Sequence, residues 1–341
     1  MKRSLKIMVS MILILVVGAT LFAAGSPEAG KTVAKPQYTF KCSTNHAESF
    51  STSRGLQYWS EKVLERTDGR IKIDIFYDAV LGDEKSIIEQ LQYGGIEFGR
   101  VNISPLAEFV DDFNALLMPY VYRDDQHFWN VMGGDIGMGM LRGEEMQKAG
   151  FYGLTFYDGG TRNFYNSKRI VKTPKDLVGL NIRVQESNLM IGMVKALGAN
   201  ATAMPYGDVY SGLQTGTIDG AENSVVQYLE VSHYEVAPFL TIDNHTRAAD
   251  CLLISQKVRE KLSAADMKII EEAAVESWDY QKKLWAESDS EALLKLKKAG
   301  VTVTTLSEGE VKQFMDACAP LASTYNGGKY KSIIEKMAAV K

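Results

Sequence analysis

Two arginines lie in apolar runs in the middle of this 341-residue chain, where a charged side chain is costly unless an anion meets it. Arg183 falls within residues 180–184, a short run typical of a buried strand, and Arg162 comes two residues after a Gly-Gly pair. A guanidinium grips a carboxylate with two parallel hydrogen bonds. We therefore expect Arg183 and Arg162 to hold the acid group of a small ligand. The alternative is an internal salt bridge to one of the chain's own carboxylates.

The common signatures of catalytic and cofactor sites are absent from the sequence. It contains no His-Glu-x-x-His, no Gly-x-Ser-x-Gly and no phosphate-binding loop. Its four histidines, His46, His127, His233 and His245, show no metal-ligand spacing, and there is no Cys-x-x-Cys pair. We therefore expect no cofactor and no metal, and a binding cleft explains the polar residues better than a catalytic centre.

Polar side chains stand at the ends of several predicted strands in both halves of the chain. In open α/β sheets, ligands sit beyond the carboxyl ends of the strands. Each residue taken singly also fits a loop contact or a helix cap. Together they favour a ligand held between two lobes. The residues are Asn45, His46, Glu84, Arg100, Asn102, Arg162, Arg183 and Asn223.

The elements that position these side chains follow an α/β pattern. Strand-like and helix-like runs alternate as β-α-β-α-β over residues 38–103, which predicts a largely parallel sheet. A turn at 158–160 is expected to mark the crossing to a second α/β unit. An apolar strand at 248–255 is expected to return to the first. Residues 124–149 predict one helix with a glycine-rich middle.

Residues 263–299 contain no Gly or Pro and begin with a capping pair, Ser263 and Asp266. At about 1.5 Å per residue, a helix of this length reaches roughly 55 Å, longer than a small domain is wide. Its apolar positions keep no strict heptad. The sequence therefore predicts a helix packed across two lobes.

The first 25 residues have the features of a secretory signal peptide. Basic residues precede an apolar run at 7–17, and small residues follow it. An uncleaved membrane anchor is the alternative. Residues 26–36 predict a linker. No later run is apolar over a membrane-spanning length, so we expect a mature protein that is soluble in the periplasm.

Composition excludes some functions. The net charge of −4 argues against a nucleic-acid partner, because nucleic-acid-binding surfaces are basic. Three cysteines leave at least one thiol unpaired in an exported protein. Cys42 and Cys251 lie in strand-like runs, and a bridge between them stays open.

Four ordered runs follow one another at consistent spacing: GGTRNFYNS (159–167), TPKDLVGLNIRV (173–184), AMPYGDVYSGLQTG (203–216) and IDGAEN (218–223). Together they resemble the DctP-family solute-binding proteins of TRAP (tripartite ATP-independent periplasmic) transporters. The similarity extends from about Tyr38 to the C-terminal region. It implies a two-lobed periplasmic-binding-protein-like α/β fold with a long helix spanning both lobes. It also implies a protein that delivers its ligand to TRAP membrane subunits and is not an enzyme.

The resemblance also implies roles for single residues. Arg183 corresponds to the arginine that clamps the ligand carboxylate, and Arg162 to a second, supporting arginine. Asn223 corresponds to an amide that reaches the same acid group, and Tyr206 to an aromatic position against the ligand. The residues implied to contact the rest of the ligand from the first lobe are Asn45, His46, Glu84 and Asn102.

The same resemblance narrows the ligand. Relatives specific for sialic acid carry a glutamate at the position of Asn102 and a small residue at that of His46, which disfavours sialic acid. Residues 242–247 and Arg100 look more like members that take hexuronates and related sugar acids. Amides, carboxylates and imidazole supply the mixed donors and acceptors that hydroxyl-rich ligands need.

We therefore expect a monomeric protein that captures a small organic acid, a hexuronate or a related sugar acid. An exported enzyme acting on sugar acids and a ligand sensor for a membrane receptor are the alternatives. Lobe I is expected to comprise residues 37–160 plus 249–287, and lobe II residues 161–248 plus 288–341.

Overall fold

A computed structural model of the chain describes residues 35–341. The expected signal peptide, and all but the end of the expected linker, lie outside the described residues. Within 35–341, no helix combines the length and the apolarity needed to cross a membrane.

The strands of the described chain all belong to one sheet. They are β1 (Tyr38–Ser43), β2 (Ile71–Phe76), β3 (Phe98–Asn102), β4 (Phe151–Asn166), β5 (Asn181–Val184), β6 (Asn200–Ala203), β7 (Gly220–Ser224), β8 (Phe239–Ser255) and β9 (Thr302–Thr305). Their order is β2-β1-β3-β8-β4-β7-β5-β6, and β9 pairs with β8.

Helices connect these strands and cover the sheet. The α-helices are α1 (Ser51–Arg66), α2 (Glu84–Tyr93), α3 (Ile103–Leu106), α4 (Asn114–Leu117), α5 (Asp125–Gly133), α6 (Asp135–Arg142), α7 (Glu144–Lys148), α8 (Asn188–Ala196), α9 (Val209–Thr215), α10 (Val225–Glu230), α11 (Gln256–Arg259), α12 (Ala264–Lys298), α13 (Glu308–Cys318), α14 (Leu321–Thr324) and α15 (Lys331–Ala339). Short 3-10 turns lie at Asp111–Phe113, Pro174–Leu177, Tyr206–Asp208, His233–Glu235 and Tyr325–Gly328.

The apolar core lies on both faces of the sheet. Along β8, Leu252 and Ile254 pack in one cluster with α1 and α12, whereas Cys251 and Leu253 pack in another with α2. Successive side chains of a strand point to opposite faces. The continuous apolar run at the end of β8 follows from burial on both sides.

Apart from β9, which pairs in parallel with β8, the parallel pairs lie toward the two ends of the sheet. β1 pairs in parallel with β2 and β3, and β5 pairs in parallel with β6 and β7. At the centre, β8 is antiparallel to both β3 and β4, and β4 is antiparallel to β7. The prediction of a largely parallel sheet is confirmed for the strands of residues 38–103. The antiparallel pairing of β4 and β8 at the centre departs from it, because hydrophobic alternation carries no information about strand direction.

The turn predicted at 158–160 is wrong, because β4 runs unbroken through it. Asp158 pairs with Ala249 and Thr161 with Arg247, so β8 accompanies β4 on both sides of the irregularity. Gly160 absorbs the register shift with a φ of 78°, and its amide donates to Asp158 Oδ1 at 2.9 Å. Glycine takes this left-handed conformation without steric cost. The Gly-Gly pair therefore makes a bulge within β4.

Two further boundaries differ from the prediction. β8 begins at Phe239, so it includes a polar half that the apolar run at 248–255 did not indicate. The helix predicted at 124–149 is divided into α5, α6 and α7, because Gly134 and Gly143 adopt extended backbone conformations.

The long helix is confirmed as α12. The Ser263 side chain caps it by accepting from the Asp266 amide at 3.0 Å. It packs first on α1 and β4, where Tyr157 and Ser277 share a hydrogen bond of 2.8 Å, and then on α10. Trp285 joins the cluster that α10 helps to form. The helix therefore spans both lobes, as the sequence predicted.

Cys42, Cys251 and Cys318 are free and buried. Cys42 lies in β1 and Cys251 in β8, with β3 between them. The bridge that the sequence left open between these two residues is therefore not formed.

Candidate functional site

The structure brings all nine predicted site residues to one small enclosed cavity between the two ends of the sheet. Its volume is about 10 Å³, roughly enough for one water molecule. Gln185 and Gln227 also line it and were missed by sequence reasoning. The predicted residues are Asn45, His46, Glu84, Arg100, Asn102, Arg162, Arg183, Tyr206 and Asn223.

The two missed glutamines had a signal in the sequence. Gln185 follows Arg183 by two residues, and side chains two apart in an extended segment share a face. Gln227 is in the first turn of α10, four residues after Asn223. Its backbone amide donates to Ser224 Oγ at 3.3 Å.

Arg183 is buried in β5 and 3% exposed. Its Nε and Nη2 donate to the carbonyl of Met204 at 2.9 and 2.6 Å. It forms no salt bridge with any carboxylate in residues 35–341. Burial lowers the pKa of this guanidinium below its ordinary value. Arg183 also lines the enclosed cavity, where its buried positive charge has no carboxylate of the described chain within salt-bridge distance.

Arg162 differs, because it is neutralised within the protein. Its Nε and Nη2 donate to the Glu222 carboxylate, the latter at 2.8 Å to Oε1. Nη2 also donates to the Glu222 carbonyl at 2.7 Å. The internal salt bridge that the sequence left as an alternative for both arginines therefore describes Arg162 and does not describe Arg183.

The Glu222 carboxylate also contacts a buried histidine. His245 Nε2 lies 3.3 Å from Glu222 Oε2, and His245 Nδ1 lies 2.9 Å from Asp243 Oδ2. Burial alone would raise the pKa of Glu222, but the Arg162 charge and the hydrogen bonds hold it at about 2. Burial alone would lower the pKa of His245, but Asp243 and Glu222 raise it to about 9. Arg162, Glu222, His245 and Asp243 thus form one buried charged network, here called the Glu222 network.

Asn223 has a fixed orientation. Arg162 Nη1 donates to its side-chain oxygen at 3.0 Å, and the Ser224 amide donates to the same oxygen at 2.8 Å. Because both partners are donors, the atom that accepts must be the amide oxygen. The amide NH₂ is left to donate elsewhere, and Asn223 lines the same cavity as Arg183.

A second charged cluster supports the cavity from the β1–β3 end of the sheet. Arg100 donates to Glu84 Oε1 at 2.8 Å and its Nε lies 3.3 Å from Asp250 Oδ2. Arg100 Nη2 lies 2.6 Å from His46 Nε2, and His46 Nδ1 lies 2.6 Å from Thr52 Oγ1. Arg100 is therefore matched by internal carboxylates.

His46 is held neutral by this arrangement. Burial and the Arg100 charge keep its pKa well below the ordinary value. A neutral imidazole that accepts from Arg100 at Nε2 must donate from Nδ1, here to Thr52. His46 lines the cavity, and its ring is stacked on Phe50 at 4.5 Å between centroids.

The side chain of Asn102 is used by the fold. Its Nδ2 donates to Asp250 Oδ1 at 2.8 Å, and its Oδ1 accepts from the Ser104 amide at 3.0 Å, which caps α3. The helix-cap alternative noted from the sequence is what the structure shows for this residue.

Apart from Arg100 Nε, which lies 3.3 Å from Asp250 Oδ2, three buried polar atoms of the cavity residues have no hydrogen-bond partner within the described chain. They are Asn45 Oδ1, Gln185 Oε1 and the Tyr206 hydroxyl. A buried polar atom without a partner costs about 1–3 kcal/mol. These atoms are therefore suited to a polar ligand that would satisfy them.

The Glu222 network makes a prediction for stability against pH. Because the folded pKa of His245 is raised, its contribution is complete below 6.5 and is lost as pH rises through about 9. Because the folded pKa of Glu222 is lowered, its contribution is present above 4.5 and is lost as pH falls through about 2. The free energy of unfolding should fall above pH 6.5 by up to about 1.4 kcal/mol per pH unit.

Urea denaturation at a series of pH values checks this expectation. His245→Gln keeps a hydrogen-bonding amide that does not titrate, so its slope between pH 6.5 and 9 should be shallower by about one proton. Equal slopes for the wild-type protein and the variant would contradict a charged His245.

Comparison with known proteins places the chain in a family. The profile of bacterial extracellular solute-binding protein family 7 (DctP) matches residues 42–327. A solute-binding protein of Chromohalobacter salexigens is 33% identical over 263 residues, which is 77% of this chain and 78% of that protein.

Solved structures agree in fold. A TRAP periplasmic solute-binding protein from a Bradyrhizobium species, in complex with α/β-D-galacturonate, gives a TM-score of 0.85 at 37% identity and covers 88% of this chain and 99% of that one. A TRAP periplasmic solute-binding protein from Pseudomonas putida F1, with bound D-glucuronate, gives a TM-score of 0.85 at 32% identity. The match covers 89% of this chain and 98% of that one. This protein therefore belongs to the DctP family of TRAP solute-binding proteins and has their two-lobed fold.

Proposed function

We propose that this protein captures a hexuronate or a closely related sugar acid between its lobes and delivers it to TRAP membrane subunits. The observation that carries the proposal is Arg183, a buried guanidinium that meets no internal carboxylate in the described chain. Uronate ligands in two solved relatives support the choice of acid.

The acid end of the ligand would be held by Arg183 and Asn223. A guanidinium and an amide NH₂ that line one cavity are both donors and suit the two oxygens of a carboxylate. Arg162 would act one step back, because it donates to the oxygen of Asn223 and so points the amide NH₂ away from itself. In this proposal, the supporting role predicted for Arg162 is to orient the Asn223 amide.

The hydroxyl groups of the sugar would be met by neutral groups. Asn45 Oδ1 and Gln185 Oε1 accept hydrogen bonds, and the Tyr206 hydroxyl can both donate and accept. Arg100 and Glu84 would position His46 instead of binding the acid, since their charges already neutralise each other.

Lobe movement is required by the size of the site. A cavity of about 10 Å³ does not hold a sugar acid, so the lobes would separate for entry and then close around the ligand with more space between them than the described structure leaves. We assign the lobes as residues 37–160 plus 249–287 and 161–248 plus 288–341. Continuous pairing of β4 with β8 on both sides of residues 158–161 supports a crossing there.

The cellular setting follows from the family and the N-terminal sequence. We propose that the chain is exported by a cleaved signal peptide and works as a monomer in the periplasm. It would release its ligand chemically unchanged.

A ligand screen tests the function. In thermal-shift assays, glucuronate or galacturonate should raise the melting temperature by several degrees, since a ligand at 1,000 times its Kd adds about 4 kcal/mol of stability. Dicarboxylates, keto acids and sialic acid should shift it little, and aldonates less than the best uronate. Calorimetry then gives the Kd, and product analysis after incubation should return the acid intact.

Two results would overturn the proposal. One is a shift with a dicarboxylate or keto acid and none with any sugar acid. The other is conversion of a bound sugar acid to a new compound, which would point to the enzyme alternative.

A further inference from the structure

A second cavity adjoins the enclosed site and is here called the annexe. Its volume is about 410 Å³, within the range of about 300–1,000 Å³ that is typical of small-molecule sites. Asn45, His46 and Tyr206 line both cavities, so these side chains form a neck between them. The annexe is bounded by residues 45–50 and 78–79 on one side and by residues 206–210 and 230–233 on the other.

The neck carries polar atoms that the fold leaves unmatched. Asn45 Oδ1 and the Tyr206 hydroxyl are buried without a partner in the described chain. Arg183 lines the enclosed cavity and not the annexe. A ligand with its carboxylate at Arg183 therefore extends toward the neck, and a group attached to its far end enters the annexe.

The walls of the annexe suit the faces of a sugar ring. Ring centroids follow one another from His46 to Tyr206 at 5.9 Å, from Tyr206 to His233 at 6.3 Å and from His233 to Tyr210 at 6.5 Å. Phe50 stacks behind His46. Aromatic faces beside a few hydroxyl, amide and imidazole groups are a common lining for uncharged polar ligands.

The charge of the annexe disfavours a second acid. Asp78 and Glu230 are among its lining residues, and none of the described residues that line it is Lys or Arg. His46 is neutral, and burial together with the Arg183 charge lowers the pKa of His233 to about 3, so it is neutral as well. Burial raises the pKa of Glu230 to about 7, so above that pH a second carboxylate in the annexe would meet the like charges of Asp78 and Glu230 and no Lys or Arg among the described lining residues.

We propose that the annexe is a second sugar subsite, which accepts an uncharged pyranose joined glycosidically to the uronate held at Arg183. The substrate class then includes aldobiuronic acids, in which the uronic acid is linked through its anomeric carbon to a neutral sugar. This inference rests on the proposed capture of a uronate. It adds that the uronate can carry a second sugar, and that this sugar is a single uncharged pyranose.

Calorimetry with defined sugars tests the subsite. The probes are free glucuronate and galacturonate, glucuronic acid linked through its anomeric carbon to xylose or galactose, and digalacturonate. At least one aldobiuronic acid should bind as tightly as the better free uronate or more tightly. Digalacturonate should bind at least about tenfold more weakly, because like charges placed together are strongly unfavourable.

Gly207→Phe fills the annexe without touching the enclosed site. Gly207 lines the annexe only, and a Cβ added there meets no atom within 4 Å. The variant should weaken aldobiuronate binding about tenfold or more and leave free uronate binding within about twofold. Gly309→Phe is the matched control, since a Cβ at this α13 glycine also meets nothing within 4 Å and Gly309 lines neither cavity.

Glu230→Gln tests the charge argument by itself. At pH 8, above the pKa of about 7 to which burial raises Glu230, it removes one negative charge from the wall and should narrow the difference in affinity between digalacturonate and the disaccharide with an uncharged second sugar. An unchanged difference would remove the electrostatic reason for preferring an uncharged second sugar.

The outcomes separate this inference from the proposed function. Tight binding of free uronates with no binding of any aldobiuronic acid overturns the subsite and leaves uronate capture intact. The subsite is also overturned if Gly207→Phe weakens the binding of free uronates and aldobiuronic acids equally. The same holds if the variant weakens the binding of neither. Failure of every sugar acid to bind removes both proposals together.

Discussion

Arg183→Ala is expected to weaken uronate binding by about 2–5 kcal/mol, the range found when one partner of a buried hydrogen-bonded charge pair is removed. Isothermal calorimetry with glucuronate or galacturonate measures the loss. Arg183→Lys should also bind weakly, because a single ammonium cannot reproduce the two parallel donors of a guanidinium.

The ligand-free protein should respond in the opposite sense. Arg183 is buried, and no carboxylate of the described chain pairs with it, so its removal relieves a desolvated charge. The melting temperature of ligand-free Arg183→Ala should therefore equal or exceed that of the wild-type protein. Loss of binding without loss of stability is the signature of an arginine kept for a ligand.

Arg169→Ala is a matched control for this pair of measurements. Its Nε and Nη2 donate to the carbonyls of Asp176 and Val178 at 2.8 and 2.7 Å, so it too is held by backbone oxygens, but it lies on the exposed surface. Binding by Arg169→Ala should match the wild type. Wild-type affinity in Arg183→Ala, or a large loss of its ligand-free stability, would show that Arg183 is a structural residue.

Glu222→Ala is expected to lower the free energy of unfolding by about 3–5 kcal/mol, because one partner of a buried salt bridge is removed and the other is left charged. The Glu222 side chain is fully buried, and both Arg162 and His245 depend on it. Urea denaturation of the ligand-free protein measures the effect. The expected change in ligand-free stability is therefore opposite in sign to that of Arg183→Ala, although Arg183 lines the site and Glu222 supports it.

The control for Glu222 is an exposed glutamate with a single partner. Glu291 pairs with Lys295 at 2.7 Å on the surface of α12, and pairs of this kind contribute little to stability. Glu291→Ala should therefore unfold close to the wild-type midpoint. If Glu222→Ala unfolds there as well, the buried network does not stabilise this lobe.

Some of this architecture was predictable because the signals are local. A long run without Gly or Pro after a capping serine defined α12 to within one residue at each end. Arg183 was identified because a charge inside an apolar strand is expensive whatever surrounds it. Such arguments need only the neighbours of a residue in the sequence.

Other features depend on partners that are distant in the chain. The polar half of β8 looked unlike a strand because its buried residues are satisfied from elsewhere: Asp243 accepts from the Phe164 amide at 3.1 Å, and His245 reaches Glu222. Arg162 forms a salt bridge and Arg183 does not, and this difference likewise depends on which of the two lies against Glu222. A single sequence contains no record of those pairings.

The bulged pairing of β4 with β8 has a consequence for movement between the proposed lobes. Both strands continue through the crossing as hydrogen-bonded neighbours, and their register shifts between Asp158 and Thr161. Trp285 of α12 lies so close to Gly160 that an added Cβ would come within 2.5 Å of its ring. At this crossing the paired strands β4 and β8 are packed against the helix α12. If the lobes meet at this crossing, as proposed, their movement would bend one hydrogen-bonded strand pair, and would not be the free swivel of two separate linkers.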